Sequence, residues 1–559
     1  MSFPTRWISW IKATLSSASF AFNINGHTTN WITSSRGVRQ GDPLSPLLFL
    51  LTSQSLSAIL NKALNLNMVP GFSCSLNRNF NHLMFADDLI LITKASRKAA
   101  KICLLCLNIY HKLTGQKPNP SKSEVYLPSW CNKKIAHSIS KILGFKMGNF
   151  PFSYLGVPIS PKKLLVRHLD FLPGRVHKAI NLWNHSNLSL AGRSVLLNST
   201  IFAIPNYFLS VMNLPLSILD SISRIGRSFL WSNGGNNSGF HSVGWSLTTQ
   251  KKSEGGLGIR NLRLVQHSLM AKHIFAILNS ENKIWIDIFK SKYGNWHPWQ
   301  INTYPHSSWF FKSICKYANF LKTNFFISSI NPEGFDWIRD PWIMDLPLSH
   351  KPTYLNVNLD WANFHFKDFL RNNSLCMDSL IMMFGDIMDR DRCKTLKLDV
   401  HGPSRWAWSS PNHMASISST VYEHISNSVD SGAQWSGWNQ IWKLSVIPRV
   451  KTFIWKLAHG KLSTGAYLYS LNIGPYVNCY FCDLEEDSID HTIWKCSKVK
   501  HIWDSILASM NICPPDLLFL SSGRWLTHWN HKRMENIKNK ALITSAAWLI
   551  WKERCNFIF

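Results

Sequence analysis

Phe85-Ala86-Asp87-Asp88 sets two adjacent carboxylates between two short apolar runs, His82-Leu83-Met84-Phe85 on one side and Leu89-Ile90-Leu91-Ile92-Thr93 on the other. Each run is too short for a helix and rich in strand-forming residues, so the stretch reads as strand, tight turn, strand. An Asp at such a turn tolerates unusual backbone angles and can bond its own main chain. The hairpin then carries both carboxylates on an exposed tip. Hard divalent cations such as Mg²⁺ take oxygen ligands of this kind and usually share them with substrate phosphates. A pair of such ions stabilises the attacking and leaving oxygens of a phosphoryl transfer. On this tetrapeptide alone, an ordinary hairpin turn explains the pattern as well.

A second stretch, upstream, narrows the choice. Arg36-Gly37-Val38-Arg39-Gln40-Gly41-Asp42-Pro43-Leu44-Ser45-Pro46 opens a helix that runs through Leu47-Leu48-Phe49-Leu50-Leu51 to Leu64. Gly41 permits a sharp backbone, Asp42 is placed as an N-cap and Pro43 suits the first helical position. A helix N-terminus with Arg39 beside it favours phosphate. Together the two stretches resemble the palm of reverse transcriptases, specifically those of plant LINE-type (non-LTR) retrotransposons.

That resemblance implies RNA-templated DNA synthesis, with an RNA template and a DNA primer as partners. It implies that Asp87 and Asp88 are catalytic and hold Mg²⁺, and that Arg39, Gln40 and Gly41 lie at the incoming nucleotide and template. Gly115-Gln116-Lys117-Pro118-Asn119-Pro120-Ser121-Lys122-Ser123 resembles the next palm motif, which puts Asn119 and Lys122 at the nucleotide. A lysine there serves as a phosphate point charge. Phe152-Ser153-Tyr154-Leu155-Gly156-Val157-Pro158 resembles the primer-grip hairpin, with Tyr154, Leu155 and Gly156 at its tip. Near the start, Phe20-Ala21-Phe22-Asn23-Ile24 alternates like a strand, and Asn25-Gly26 is a strong hairpin signal.

The family has three metal-binding carboxylates, the first on a strand that precedes this point, with the fingers earlier still. The sequence supplies only Asp87 and Asp88. The expectation is a polymerase remnant that has lost activity, because losing one part of such a site costs most of the rate. At the other end, Ala546-Ala547-Trp548-Leu549-Ile550-Trp551-Lys552-Glu553-Arg554-Cys555-Asn556 resembles the helix that precedes a ribonuclease H domain in relatives. Both ends therefore read as cut.

Cys479, Cys482, His491 and Cys496 follow the spacing C-x2-C-x8-H-x4-C. Two ligands on a tight knuckle and two on a following turn or helix can close a tetrahedral Zn²⁺ site of the Cys₃His type, and a full set of four reads as structural. Asp490, beside His491, is a candidate hydrogen-bond partner for the imidazole. The stretch resembles the zinc-binding domain that follows the reverse transcriptase in plant LINE proteins. The amphipathic helix carrying Arg449 and Lys451 would add charge for nucleic-acid contact. By contrast, Cys103 and Cys106 have metal-like spacing but lie in an apolar helical run and read as core. Gly255-Gly256-Leu257-Gly258 lacks the Lys-Ser or Lys-Thr that a phosphate loop needs.

The chain has 559 residues, 60 Lys and Arg against 31 Asp and Glu, and a formal net charge of +29. Such an imbalance favours a polyanionic partner, nucleic acid before membrane. Between Lys94 and Lys134 nine basic residues face a single Glu, which suits a phosphate backbone. No apolar run approaches the roughly 20 residues that span a bilayer, and the N-terminus lacks a signal-peptide core. The 12 cysteines are too scattered for a disulfide scaffold. These features point to an intracellular setting, nucleus or cytoplasm.

The expected fold is α+β. A partial palm of antiparallel sheet and helices occupies residues 1–160, and a helical thumb and connection residues 161–275. A Trp-rich connector follows over 276–435, then a small helical zinc-binding domain over 436–510 and a helical tail over 511–559. The alternative to a polymerase remnant is a non-enzymatic nucleic-acid-binding protein that uses the same groove and zinc domain.

Overall fold

The computed structural model describes residues 3–34, 37–73, 79–182, 188–232, 240–300, 306–332, 335–344, 346–350, 365–371, 374–385, 389–399, 402–408, 416–427, 435, 437–509 and 537–558. Helices joined by small, mostly two-stranded sheets make it an α+β chain. It divides into two units, Met1–Lys162 with Asn282–Asn295, and Lys163–Glu281 with Trp296–Phe559. The described residues of 163–281 and of 296–558 all fall in the second unit. Trp183, Trp361 and residues 511–536 lie outside the described residues.

The first unit is built on the helix Ser45–Asn65, whose Leu56, Leu60 and Ala63 recur at helical spacing and are buried. They pack with Cys103, Cys106, Leu107 and Tyr110 of the helix Arg97–Thr114. Burial pushes the Cys103 thiol up to about 11, as expected of a core thiol. Ser96 caps this second helix by accepting the Ala99 amide, and Gly115, at φ +77°, ends it. The helix Ser45–Asn65 is long and apolar enough to cross a membrane by length and composition, against the expectation from sequence. Its buried face, however, belongs to this core.

Strands His82–Phe85 and Asp88–Leu91 pair antiparallel, with Phe85 opposite Asp88. Met84, Leu89 and Leu91 rest on the same core. A polar chain fixes the hairpin to the helix. Ser57 Oγ lies 2.8 Å from His82 Nε2, and His82 Nδ1 2.7 Å from Asn81 Oδ1. The buried Asn81 also donates from Nδ2 to the Leu60 carbonyl at 2.9 Å. Burial lowers the His82 pKa.

The second unit is mainly helical. Its helix Leu262–Leu278 buries residues on nearly all sides and packs against Trp309–Leu321 and Ile417–Asn427. The connector carries a small sheet in which Phe325–Ile330 lies between Lys397–Leu398, parallel, and Arg405–Trp408, antiparallel. Trp296, Trp299, Trp337 and Trp342 are buried, so these tryptophans are packing residues and not an open stacking platform.

Gly255-Gly256-Leu257-Gly258 also has a packing role. Gly255, at φ +90°, presents its carbonyl to Trp455 Nε1 at 2.6 Å and to His459 Nε2 at 2.8 Å. A Cβ at Gly255 would meet the Trp438 ring at 2.9 Å, and one at Gly256 the Gln250 carbonyl at 2.0 Å. Trp438 in turn stacks on His459 at 4.3 Å. The loop is the seat on which the helices Gly437–Lys443 and Pro448–Ala458 rest.

Replacing Asn81 by Ala leaves the Leu60 carbonyl and His82 without their partner, at an expected cost of about 1–3 kcal/mol. Hydrogen-exchange mass spectrometry should show faster exchange across residues 79–93, while the helix Leu262–Leu278 keeps its protection. Unchanged exchange over 79–93 would remove the polar chain as the anchor of the hairpin.

Candidate metal centres

The acidic hairpin turns on two central residues, Ala86 and Asp87, and Ala86 holds φ +50°, the left-handed region that tight hairpin turns use. Asp87 and Asp88 are both exposed, side by side at the tip. A donor set of two adjacent, water-accessible carboxylates fits a hard cation such as Mg²⁺. Among the described residues, no third acid, His or Cys completes a metal-binding group with them.

Tyr154 is drawn into the same neighbourhood. Burial raises its hydroxyl pKa, and the charge on Asp88 raises it further. Tyr154 ends the strand Phe152–Tyr154, which pairs with Val157–Ile159 through Leu155 and Gly156. Those two residues hold φ +50° and +78°, the positive pair of a type I′ turn.

The other residues singled out from sequence are engaged locally. Arg39 reaches Ser17 Oγ at 3.3 Å, and its carbonyl accepts the Ser45 hydroxyl at 2.5 Å. Gln40 and Gly41 are exposed, with Gly41 at φ +85°. Asp42 Oδ1 accepts the Leu44 amide at 2.9 Å, and the helix starts at Ser45, so Pro46 and not Pro43 sits in its first turn. Asn119 Oδ1 accepts from Ser121 N and Oγ, and Lys122 is exposed in the same turn. Among the described residues, no hydrogen bond or ion pair joins Arg39, Gln40, Gly41, Asn119 or Lys122 to the carboxylate pair.

The second centre lies in the other unit. The ligand atoms of Cys479, Cys482, His491 and Cys496 all fall within 4.8 Å of one another. Cys479 Sγ is 3.9 Å from Cys496 Sγ, and Cys482 Sγ is 3.2 Å from His491 Nε2. Zn–S bonds of about 2.3 Å in a tetrahedron put sulfurs about 3.8 Å apart, so the four atoms are spaced for zinc. A tight turn brings the first two ligands together: the Asp483 amide donates to the Cys479 carbonyl at 2.7 Å, and Asp483 holds φ +58°. A single π-turn over His491–Lys495 joins the other two, the Cys496 amide donating to the His491 carbonyl at 2.8 Å. Such turns concentrate at functional sites.

Residues 1–159 match the family model described as reverse transcriptase (RNA-dependent DNA polymerase), and residues 417–503 match the model for zinc-binding in reverse transcriptase. Residues 1–159 are thus similar to reverse transcriptases, and residues 417–503 to the zinc-binding domain found with them. A putative ribonuclease H protein of Arabidopsis thaliana is 23% identical over 425 residues, covering 72% of this chain and 66% of that protein. An uncharacterized mitochondrial protein of the same plant is 48% identical over 68 residues, 12% of this chain and 56% of that one. A Pol polyprotein from a type-1 retrotransposable element of Popillia japonica is 34% identical over 113 residues, 20% of this chain and 18% of the polyprotein. The chain thus spans less than two thirds of each of these relatives.

In the reverse-transcriptase zinc domain, the partner of His491 is Glu485. Its Oε2 lies 2.8 Å from Nδ1, at ion-pair distance but out of line for a hydrogen bond, and leaves Nε2 facing the thiols. Asp490, the residue expected from sequence, instead lies 3.9 Å from Lys495. Burial alone would raise the Cys482 thiol, but the amides of Leu484 and Glu485, with His491 and Cys479, outweigh it and bring it down to about 6. Burial raises Cys496.

Behind the ligands, sequence reasoning missed Asp487. It is fully buried and accepts from Arg554 Nε at 2.9 Å, Thr492 Oγ1 at 2.9 Å and the Gly465 amide at 2.5 Å, with Arg554 Nη2 closing a second contact. Arg554 also lies over the Trp551 ring at 4.6 Å and the Tyr480 ring at 5.4 Å. The helix Ile537–Ile558, which carries Arg554, is thereby fastened to the zinc domain. Asp487 is one of five acidic residues between Asp483 and Asp490, and nothing in the sequence singles it out from the rest.

Metal analysis of the purified chain should find one zinc, lost in Cys479→Ser and in Cys496→Ser. Structural zinc supplies an apparent binding energy of about 10–16 kcal/mol at pH 7 in small domains, so either variant should also unfold this region. The Cys482 thiolate is favoured in the folded chain, with a pKa of about 6 against about 8.5 unfolded. Its stabilising contribution is therefore complete above the unfolded value and lost as pH falls through the folded one. Zinc release on titration from pH 7 to pH 5, followed with a chromogenic chelator, checks this. Replacing Asp487 by Ala strands Arg554 and should cost about 3–5 kcal/mol in urea unfolding of the zinc-loaded chain, more than removing both partners together.

Proposed function

We propose that the chain is a remnant of an RNA-directed DNA polymerase of a non-LTR retrotransposon that holds nucleic acid but does not polymerise by itself. The observation that carries this reading is the carboxylate pair at the tip of the hairpin, with no further acidic ligand among the described residues. Asp87 and Asp88 would hold Mg²⁺, which when bound supplies Lewis-acid stabilisation of phosphoryl oxygens. Arg39, Gln40 and Gly41 would face template and nucleotide, and Asn119 and Lys122 the nucleotide phosphates. Tyr154, Leu155 and Gly156 would hold the primer end. A clamp on both the attacking and the leaving oxygen needs more oxygens than two side chains offer, which is why the pair alone should not sustain synthesis.

The second reading is a nucleic-acid-binding protein that works through its basic surface and zinc domain, with no role for the carboxylate pair. It is supported by the net charge of +29 and by the zinc domain, whose Arg449 is exposed on the helix Pro448–Ala458.

Primer extension on an RNA template with a DNA primer, in Mg²⁺ and in Mn²⁺, tests whether the chain polymerises, and binding of the same duplex tests both readings. The expected result is no incorporation above the Asp87→Ala background, together with salt-dependent binding of the template–primer duplex. Template-dependent incorporation that disappears in Asp87→Ala would show an active polymerase. Absence of both incorporation and binding would defeat either reading.

A further inference from the structure

The helices Gly437–Lys443, Pro448–Ala458 and Ile537–Ile558 enclose an open groove of ≈ 1050 Å³ in the second unit. Its rim carries three lysines, Lys443, Lys451 and Lys538, and none of the residues lining it is acidic. The Lys451 ammonium is fixed in place, donating to the Trp442 carbonyl at 2.9 Å where the helix Gly437–Lys443 ends. Lys443 and Lys538 are exposed. Trp548 forms one wall, half-buried, and Leu542 and Leu549 stay exposed at 46% and 50% although they lie on a packed helix. Ser445 and Ser545 add hydroxyls to an otherwise apolar floor.

A groove with cations on its rim, an indole in its wall and an apolar floor has the elements of a single-strand platform: phosphates along the lysines, bases against the ring. We infer that this groove binds single-stranded nucleic acid, with Lys443 and Lys538 contacting phosphates and Trp548 stacking on a base. The inference rests on the reading that the chain binds nucleic acid and assigns that binding to residues of the second unit, which does not contain the carboxylate hairpin. Its chemistry reads no sequence. Stacking accepts every base, and lysine contacts to phosphate are the same for RNA and DNA.

The test uses the full zinc-loaded chain and a fluorescein-labelled 20-nucleotide RNA carrying 4-thiouridine. Photo-crosslinking followed by mass spectrometry should map contacts to residues 538–552. Trp548→Ala should weaken binding by about five-fold or more, with Trp548→Phe recovering most of it. Lys443→Glu with Lys538→Glu should flatten the salt dependence by about 1.4 in the log–log slope, two single-strand contacts at about 0.7 each. A charge-matched control, Lys178→Glu with Lys312→Glu, should leave the crosslinks at 538–552 in place. Zinc content and circular dichroism verify that each variant folds.

RNA binding that persists with crosslinks elsewhere, and groove variants that behave like the control, would overturn the groove while leaving nucleic-acid binding intact. Absence of any RNA binding would overturn both. A third arm uses an 18-residue amphipathic helical peptide of Leu and Glu. If that peptide binds and is lost in the groove variants while RNA is unaffected, the groove is a protein-docking surface and the inference fails.

Discussion

Asp487 sets a carboxyl group where water does not reach it, and much of the second unit's end is arranged to make that tolerable. A buried carboxylate is stable only if its oxygens are filled and an opposite charge faces it. Here the guanidinium comes from the helix Ile537–Ile558, a hydroxyl from Thr492 beside the zinc ligand His491, and an amide from Gly465 at the start of another helix. Three separated pieces of chain are thus tied to one side chain. The ligand knuckle, the π-turn and the last helix must be assembled together, because withdrawing any one leaves charge or polar groups unpartnered.

The two units solve the problem of presenting reactive side chains differently. In the first, the carboxylates are exposed and the scaffolding is polar but neutral: Ser57, His82 and Asn81 link hairpin to helix without buried charge. In the second, the ligands are mostly enclosed and the scaffolding is ionic. An exposed tip leaves oxygens free for a hydrated cation and for substrate phosphates, whereas enclosed thiols suit a metal whose coordination is complete.

Local pattern made parts of this legible in the sequence. The strand–turn–strand reading of residues 82–93 needed only alternation and a short turn, and the four metal ligands announced themselves by spacing. The core role of Cys103 and Cys106 followed from helical period. What sequence could not give was tertiary partnership. Arg554 lies 67 residues from Asp487. Glu485 displaces Asp490 as the neighbour of His491 because the knuckle folds back on itself. Asp42 looked like the helix cap, yet the chain makes one further turn before Ser45. The helix Ser45–Asn65 has the composition of a membrane span, and one face of it serves a core that forms across three elements.

The carbonyl of Gly255 accepts from both Trp455 and His459, so its two lone pairs are committed to the zinc end of the molecule although it belongs to the helical end. A boundary drawn by composition through the Ser, Asn and Gly-rich stretch after residue 404 would separate that oxygen from both donors. The severed zinc fragment would display bare indoles, Trp438 and Trp455 among them, and the helical fragment an unfilled acceptor. By this contact the zinc end and the glycine loop that receives it are packed as one piece.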